Sequence, residues 1–193
     1  MEWTRSETLA LASPKCARCL GIGMRKSREG VTFPCGCVLR TVFRACYGRF
    51  RQCVEKEKHL SQVTLGYSAN GGRRITWGRK DEEFIADFYL VTRRTLTAAE
   101  WRIFSCHYLL GADWRLCTRR LKIDRGTFFH ALYRLQARLG RVFRELAPYG
   151  LYPLDEYFFG RTLDEGGVKP CKVVPIRSKS LHETLKVAVR KAA

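Results

Sequence analysis

The chain has 193 residues, 46% hydrophobic and 28% charged, and 36 Lys and Arg against 18 Asp and Glu give a formal net charge of +18. This composition is typical of a globular protein and excludes a disordered one. The positive charge, with a sequence pI near 9.9, favours a polyanionic partner. We find neither a membrane-spanning run of about eighteen uncharged apolar residues nor the pattern of a signal peptide. We therefore expect a cytoplasmic, nucleoid-associated protein with no membrane partner.

Two closely spaced cysteine pairs follow residues 1–14, which we expect to be a loose lead-in. Two residues separate Cys16 from Cys19, and one separates Cys35 from Cys37. Nine cysteines without a secretion signal indicate a reducing compartment, where metal binding is commoner than disulfides. Four thiolates suit tetrahedral Zn²⁺ and leave no open position for catalysis, so the pattern predicts a structural zinc site. The alternatives are four reduced thiols or a redox pair.

Two glycines follow the first cysteine pair and permit turns with positive φ. The resulting pattern, Cys16-x-x-Cys19-x-Gly21-x-Gly23, resembles a half-motif of the DnaJ-type zinc module. It is also similar to the half-motif of the phage Q antiterminators, which combine zinc with DNA binding. The second cysteine pair departs from both families, because C-x-C replaces C-x-x-C. The resemblance implies bound zinc in a regulator of the kind carried by phages or mobile elements.

Residues 39–60 are predicted to form one helix with a basic side. Apolar residues recur every three to four positions from Leu39 to Cys53, as in an amphipathic helix. The other side carries arginines that suit contacts to nucleic-acid phosphates, although a solvated basic face is the alternative. These candidate phosphate contacts are Arg40, Arg44 and Arg51.

Residues 61–80 are predicted to form a β-hairpin. Apolar residues alternate on either side of Asn70-Gly71, a pair that favours a primed hairpin turn. Arg73 and Arg74 on the second strand are candidate phosphate contacts, similar in idea to a wing. The alternative is a hairpin that only covers the zinc module, since a lone two-stranded ribbon must pack on something.

Two helices are expected next. Asp81 is predicted to begin a helix that runs to Arg94, with acidic residues at its start and basic residues at its end. Thr97 and Glu100 then have the T-x-x-E spacing of a capping box, which predicts the start of the second helix.

A short helix, a three-residue corner and a longer helix follow. Asp113 is expected to cap the short helix, which ends at Leu121, and Asp124 to cap the longer one. This order is typical of a helix-turn-helix unit, in which the second helix enters the DNA major groove. Three packed helices without DNA contact are the alternative. The inner face of the longer helix is predicted to consist of Phe128, Leu132, Leu135 and Leu139.

The segment 120–140 resembles the fourth conserved region of bacterial sigma factors, whose pattern runs roughly L-G-I-S-x-G-T-V-x-x-R-L-x-R-A. It departs at Lys122 and Asp124, where the family has glycine and serine. The matching residues are Leu121, Ile123, Gly126, Thr127, Leu132 and Arg134. The candidate DNA-binding residues are Arg125, Thr127, Phe129, His130, Tyr133, Arg134 and Arg138. Further candidate phosphate contacts are Arg119, Arg120 and Arg141.

The end of the chain contains an aromatic segment and a basic one. Arg144, at the far end of the predicted long helix, is expected to reach phosphate. Residues 151–159 are predicted to fold back on the core, with a partner-binding patch as the alternative. Residues 161–193 are expected to form a flexible basic tail.

These features predict a mainly α protein with a zinc module and long helix in 1–60, a small β-hairpin in 61–80 and a helix-turn-helix bundle in 81–160. We expect a sequence-specific transcription regulator that binds double-stranded DNA and Zn²⁺. The alternatives are an antitermination-type factor that binds DNA and RNA polymerase, or an RNA-binding or phage packaging protein. The chain contains no P-loop, H-E-x-x-H motif or nucleophile elbow, so we expect no enzyme.

Overall fold

The structure is a computed structural model that describes residues 2–63, 72–146 and 149–159, with side chains for 2–57, 79–146 and 149–158. The predicted tail, 161–193, lies outside the described residues. The fold is mainly α with one small antiparallel sheet, which confirms the predicted fold class. In chain order the elements are α1 (Arg5–Leu11), β1 (Met24–Lys26), β2 (Thr32–Pro34), α2 (Gly36–Val63), α3 (Gly72–Thr95), α4 (Ala98–Phe104, continued as a π-helix over Ser105–Leu109), α5 (Trp114–Leu121), α6 (Arg125–Glu145) and α7 (Leu154–Phe159).

The small hairpin lies between the two cysteine pairs. Strands β1 and β2 pair antiparallel, with Met24 opposite Pro34. The turn is closed by Ser27, whose N–H donates to the Val31 carbonyl at 2.8 Å, and it contains Gly30 at φ 80°. A glycine adopts this left-handed backbone without steric cost. The hairpin therefore brings the second cysteine pair back to the first.

The β-hairpin predicted for 61–80 is wrong wherever that segment is described. Helix α2 runs to Val63 and α3 begins at Gly72, so Arg73 and Arg74 lie on a helix. The supposed second strand rested on two alternating apolar residues, too few to distinguish a period of 2 from a period of 3.6. Asn70-Gly71, the proposed turn, lies outside the described residues.

Asp81 lies inside α3 and does not begin it. Its carboxylate is buried and accepts a hydrogen bond from the Arg49 guanidinium of α2 at 2.9 Å. Lys56 is 3.8 Å from the same carboxylate. This ion pair joins α2 to α3. The sequence pattern places Asp81 at the start of a helix, whereas its contacts with α2 explain why an acidic residue stands inside α3.

One hydrophobic core joins α2 to the predicted helix-turn-helix segment. Phe43 of α2 lies 6.2 Å from Phe143 of α6 and 5.1 Å from Tyr108, measured between ring centroids. The inner face predicted for α6 is confirmed, since Phe128, Leu132, Leu135 and Leu139 are all buried. Helix α2 therefore packs on the same hydrophobic core as α6.

Residues 1–14 are not a loose lead-in, because most of them form or flank a docked helix. Thr4 caps α1 by accepting a hydrogen bond from Glu7 N–H, and Thr8 is fully buried. Arg144 at the end of α6 donates to Glu7 at 2.8 Å and lies 4.1 Å from the Trp3 ring. The expectation that Arg144 reaches phosphate is therefore wrong: its guanidinium is buried against α1.

The aromatic segment folds back on the core, as predicted. Leu151 is buried, and the rings of Tyr157 and Phe158 lie 5.1 Å and 5.4 Å from Phe84 of α3. The Tyr157 hydroxyl donates to Asp87 at 2.8 Å. These contacts use the aromatic surface that the partner-binding alternative required.

Candidate metal centre and nucleic-acid interface

The four predicted metal ligands come together in one cluster. The sulfur atoms of Cys16, Cys19, Cys35 and Cys37 all lie within 4.8 Å of one another. The Cys16–Cys35 and Cys19–Cys37 sulfur separations are 3.8 Å and 3.5 Å. A tetrahedral metal with sulfur ligands at about 2.3 Å requires sulfur separations of about 3.8 Å. The donor set and its spacing therefore fit a metal ion with four thiolate ligands.

Tight turns around the first cysteine pair shape its half of the cluster. The N–H of Leu20 donates to the Cys16 carbonyl at 2.8 Å, and that of Ile22 to the Cys19 carbonyl at 2.9 Å. Leu20 itself adopts φ 49°, in the left-handed region. These hydrogen bonds fold residues 16–22 tightly enough for both sulfur atoms to face the same point.

Gly23 is required both by its backbone conformation and by a close contact. It adopts φ 81°, and a Cβ atom there would lie 2.2 Å from the carbonyl oxygen of Thr8 in α1. Its carbonyl accepts a hydrogen bond from Cys35 N–H at 2.8 Å. The second glycine of the half-motif therefore joins α1, the first cysteine pair and the second.

The second cysteine pair stands at the start of α2. Cys35 immediately precedes the helix, and Cys37 lies in its first turn. Both side chains are buried, as is that of Cys19, whereas Cys16 is partly exposed. The cluster is consequently built into the end of a helix that extends through the protein core.

Backbone hydrogen bonds and burial shift the pKa values of these thiols in opposite directions. Backbone hydrogen bonds from Arg18 and Cys19 lower the pKa of Cys16 to about 6. Burial raises the pKa of Cys35, and it raises the pKa of Cys37 to about 12. A divalent cation would supply the positive charge needed to ionise the buried thiols together.

The predicted caps of α4, α5 and α6 are confirmed. Asp113 accepts from Leu116 N–H at 2.8 Å, and Asp124 accepts from Thr127 N–H at 2.8 Å. Thr97 and Glu100 form the complete capping box of α4. Local sequence signals were sufficient here because each cap involves residues only three positions apart.

The corner between α5 and α6 turns at Lys122, which adopts φ 54° and ψ 45°. Glycine is favoured in this left-handed conformation, and glycine stands at this position in the sigma-factor pattern. The N–H of Ile123 then donates to the Thr118 carbonyl at 3.2 Å. The chain therefore makes this turn with a lysine in the strained conformation.

The outward side of α6 carries most of the candidate base contacts. Arg125 has no ion-pair partner among the described residues, and the Asp124 carboxylate accepts hydrogen bonds from Thr127 instead. Phe129 is half-buried and packs against the core. The candidate residues of α6 that are exposed to solvent are Arg125, Thr127, His130, Tyr133, Arg134 and Arg138.

Arg138 differs from the other exposed candidates because it forms an ion pair within the protein. Its guanidinium donates to the Glu100 carboxylate at 2.7 Å, so it ties α6 to the capping box of α4. The Arg138 side chain is still 42% exposed, which leaves part of its guanidinium open to solvent.

The candidate phosphate contacts differ in their surroundings. Arg51 pairs with Glu55 at 3.3 Å one helical turn away, and both side chains are exposed. Arg40 is half-buried and lies 5.1 Å from the Tyr133 ring of α6. The side chains of Arg73 and Arg74 lie outside the described residues. The exposed members of the set that form no ion pair among the described residues are Arg44, Arg119, Arg120 and Arg141.

Trp114 is a component of this surface that sequence reasoning did not identify. Its ring lies 6.2 Å from that of Phe129, and the Arg125 guanidinium is 5.1 Å from it. The two residues are eleven and fifteen positions further along the chain, so no helical or strand periodicity links them to Trp114. The only sequence signal was its place directly after the Asp113 cap.

None of the helices within 2–63, 72–146 and 149–159 is long and apolar enough to cross a membrane. Comparisons of the chain with protein-family models, with curated proteins and with solved structures found no match.

Proposed function

We propose that this protein is a sequence-specific DNA-binding transcription regulator in which α6 reads the major groove. The observation that carries the proposal is the α5–α6 unit itself. Two capped helices meet at a three-residue corner, and the N-terminal half of α6 exposes Arg125, Thr127 and His130 beyond that corner. In helix-turn-helix proteins these positions contact base edges.

The charge of the unit supports this proposal. Helices α5 and α6 together contain eight arginines and one glutamate. Two of the arginines, Arg138 and Arg144, form ion pairs within the protein, whereas Arg119, Arg120 and Arg141 are exposed. Exposed arginines beside a groove-reading helix contribute phosphate contacts, which fix the register of a protein on duplex DNA.

Arg125 is the residue that we assign to direct base reading. It stands at the first position of α6, is exposed, and has no carboxylate partner among the described residues. A guanidinium in this position can donate two hydrogen bonds to the O6 and N7 atoms of guanine. Thr127 and His130 on the same helix would contact neighbouring positions.

We further infer that the four-cysteine cluster holds Zn²⁺. Zinc is the metal that most often binds four thiolates in a tetrahedron, and a site closed by four protein ligands is structural. Cys37 lies in the first turn of α2, which shares the core with α6. Bound zinc would therefore stabilise the end of a helix that supports the reading helix.

The experiment is selection of bound sequences from a random duplex pool, with the wild-type protein, Arg125→Ala and Arg94→Ala compared in parallel. Arg94 is exposed on α3, forms no ion pair among the described residues, and serves as the matched control. We expect one base position to lose its preference in Arg125→Ala only, with a loss of about 1–3 kcal/mol on the best site.

Pools of single-stranded DNA and of RNA complete the test. Enrichment of an RNA while the duplex pool gives no preferred sequence would favour the RNA-binding alternative over our proposal. An unchanged motif at full contrast in Arg125→Ala would also exclude α6 as the reader that we describe.

A further inference from the structure

Three aromatic rings lie in a row at the surface of the α5–α6 unit. Trp114 begins α5, and Phe129 and Tyr133 lie one turn apart on α6. Ring centroids are 6.2 Å apart between Trp114 and Phe129, and 6.2 Å apart between Phe129 and Tyr133. We refer to these three residues as the aromatic row.

Each ring of the aromatic row already has a guanidinium close to it. Arg125 lies 5.1 Å from the Trp114 centroid and 5.8 Å from that of Phe129. Arg115 lies 5.5 Å from Trp114. Arg40 lies 5.1 Å from the ring of Tyr133. A cation within about 6 Å of a ring centroid is attracted by the negative face of the ring.

Arg40 lies outside the α5–α6 unit, in the segment that carries the four-cysteine cluster. It lies on α2, one turn after Cys37, whereas the ring that it approaches lies on the proposed reading helix. The aromatic row thus has an arginine from α6 near one end and an arginine from α2 near the other.

None of these arginines forms an ion pair within the described part of the chain. The ion pairs of α2, α5 and α6 that the structure describes involve Arg49, Arg51, Lys56, Arg138 and Arg144. An aromatic ring attracts the flat face of a guanidinium and leaves the N–H donors at its edge available for hydrogen bonds. The rings can therefore fix the direction of these side chains without consuming their donors.

We propose that the aromatic row positions two arginines for duplex DNA, with Trp114 orienting Arg125 toward a base edge and Tyr133 orienting Arg40 toward a phosphate. This inference rests on the proposed function. It gives Trp114 of α5 a role in the site and connects the candidate phosphate contact Arg40 of α2 to the reading helix. Trp114 and Tyr133 are positioning residues, because each acts through the arginine beside it.

The exposure of the three rings and the cations beside them favour duplex DNA over a single strand as the partner. Stacking of unpaired bases requires open aromatic faces. Here a guanidinium accompanies every ring, and Trp114 and Phe129 are half-buried. The row is thus arranged to hold cations, and stacking of bases becomes an outcome of the test.

The first experiment pairs Trp114→Leu with Arg125→Ala on the best selected duplex. We expect Trp114→Leu to weaken binding about three- to tenfold and to reduce preference at the same base position as Arg125→Ala. The double variant should bind no more weakly than Arg125→Ala alone, because the tryptophan acts through the arginine. Trp114→Phe keeps a ring and should retain most of the preference.

The second experiment pairs Tyr133→Leu with Arg40→Ala. Each should reduce the slope of log affinity against log salt by about 0.9, the value for one phosphate contact, and the double variant should show no further reduction. Tyr89→Leu is the matched control, since Tyr89 on α3 is 44% exposed and Tyr133 is 45% exposed. Circular dichroism and thermal unfolding of every variant establish that it is folded.

The outcomes separate this inference from the proposed function. A normal motif in Arg125→Ala would contradict the proposed function itself. Loss of preference in Arg125→Ala, together with wild-type behaviour of folded Trp114→Leu and Tyr133→Leu, would overturn only the positioning roles. A larger loss of affinity for single-stranded oligonucleotides than for duplex in the row variants would identify the rings as a base-stacking surface and overturn the inference.

Discussion

Gly140 of α6 lies directly against the backbone of Leu39 in α2. A Cβ atom added at Gly140 would be 1.9 Å from the Leu39 carbonyl oxygen and 2.7 Å from its carbonyl carbon. Leu39 follows the metal-cluster residue Cys37 by two positions. The segment that carries the four-cysteine cluster and the proposed reading helix therefore meet at a contact of backbone against backbone, which only glycine allows.

Gly140→Ala should destabilise the fold because a methyl group and a carbonyl would occupy the same space. We expect the free energy of unfolding to fall by about 3 kcal/mol, at the upper end of the range for overpacked cores. Urea unfolding measures this change. The control is Gly48→Ala, a glycine of α2 whose added Cβ meets no atom within 4 Å. That variant should be more stable by about 0.5–1 kcal/mol, because alanine is the better helix former. Equal stability of the two variants would contradict the close crossing.

Local signals in the sequence are enough to predict the caps of α5 and α6 and the cysteine cluster. Asp113 and Asp124 cap helices whose N–H groups lie three residues further on, and the cysteine pairs have spacings that suit one metal ion. The sequence does not predict that residues 72–80 are helical, because only two apolar residues there indicate a periodicity. Nothing in the sequence near Gly140 indicates that α2 passes within contact distance of it.

Contacts between distant residues explain the remaining errors. Arg144 was expected to reach phosphate because its neighbours on α6 are arginines. The structure instead pairs it with Glu7, which is 137 positions earlier in the chain. The sequence also predicts that residues 1–14 are loose, because neither Trp3 nor Glu7 has an interaction partner nearby in the sequence. No periodicity encodes a pairing of this kind, so it became visible only in the folded protein.

Cys35→Ser should remove the bound metal and unfold the N-terminal module. A structural metal contributes its binding free energy to folding, so loss of one of four ligands destabilises the whole cluster. Metal analysis of the purified wild type should give one zinc per chain, and Cys35→Ser much less. Cys171→Ser, at a cysteine outside the described residues, is the matched control and should keep the metal. Stoichiometric zinc in a Cys16→Ser/Cys19→Ser double variant would contradict the assigned ligands.

Glu7→Gln should weaken the attachment of α1 to α6. The Arg144 and Glu7 side chains are 6% and 22% exposed, so the variant neutralises the carboxylate that faces a largely buried guanidinium. Arg144 retains its hydrogen bond to the Glu2 carbonyl, and we expect a loss of about 2 kcal/mol. Glu83→Gln is the control, because Glu83 pairs with Arg79 where both side chains are more than half exposed. Its effect should stay below about 1 kcal/mol. Similar effects of both substitutions on urea unfolding would show that the Glu7 pair contributes no more than a surface pair.

Lys122→Gly should stabilise the protein at the corner between α5 and α6. Lys122 holds the left-handed backbone at φ 54°, which costs a residue with a Cβ atom about 1 kcal/mol and costs glycine little. We therefore expect a higher free energy of unfolding by about 0.5–1 kcal/mol, measured by urea unfolding. Lys122→Ala removes the same charge but keeps the strained Cβ, so it should show no such gain. Gly111→Ala makes the reverse change at φ 68°, where an added Cβ meets nothing within 4 Å, and should cost about 1 kcal/mol. If Lys122→Ala stabilised the protein as much as Lys122→Gly, the gain would come from removing positive charge beside Arg119 and Arg120, and the backbone of the corner would not be strained.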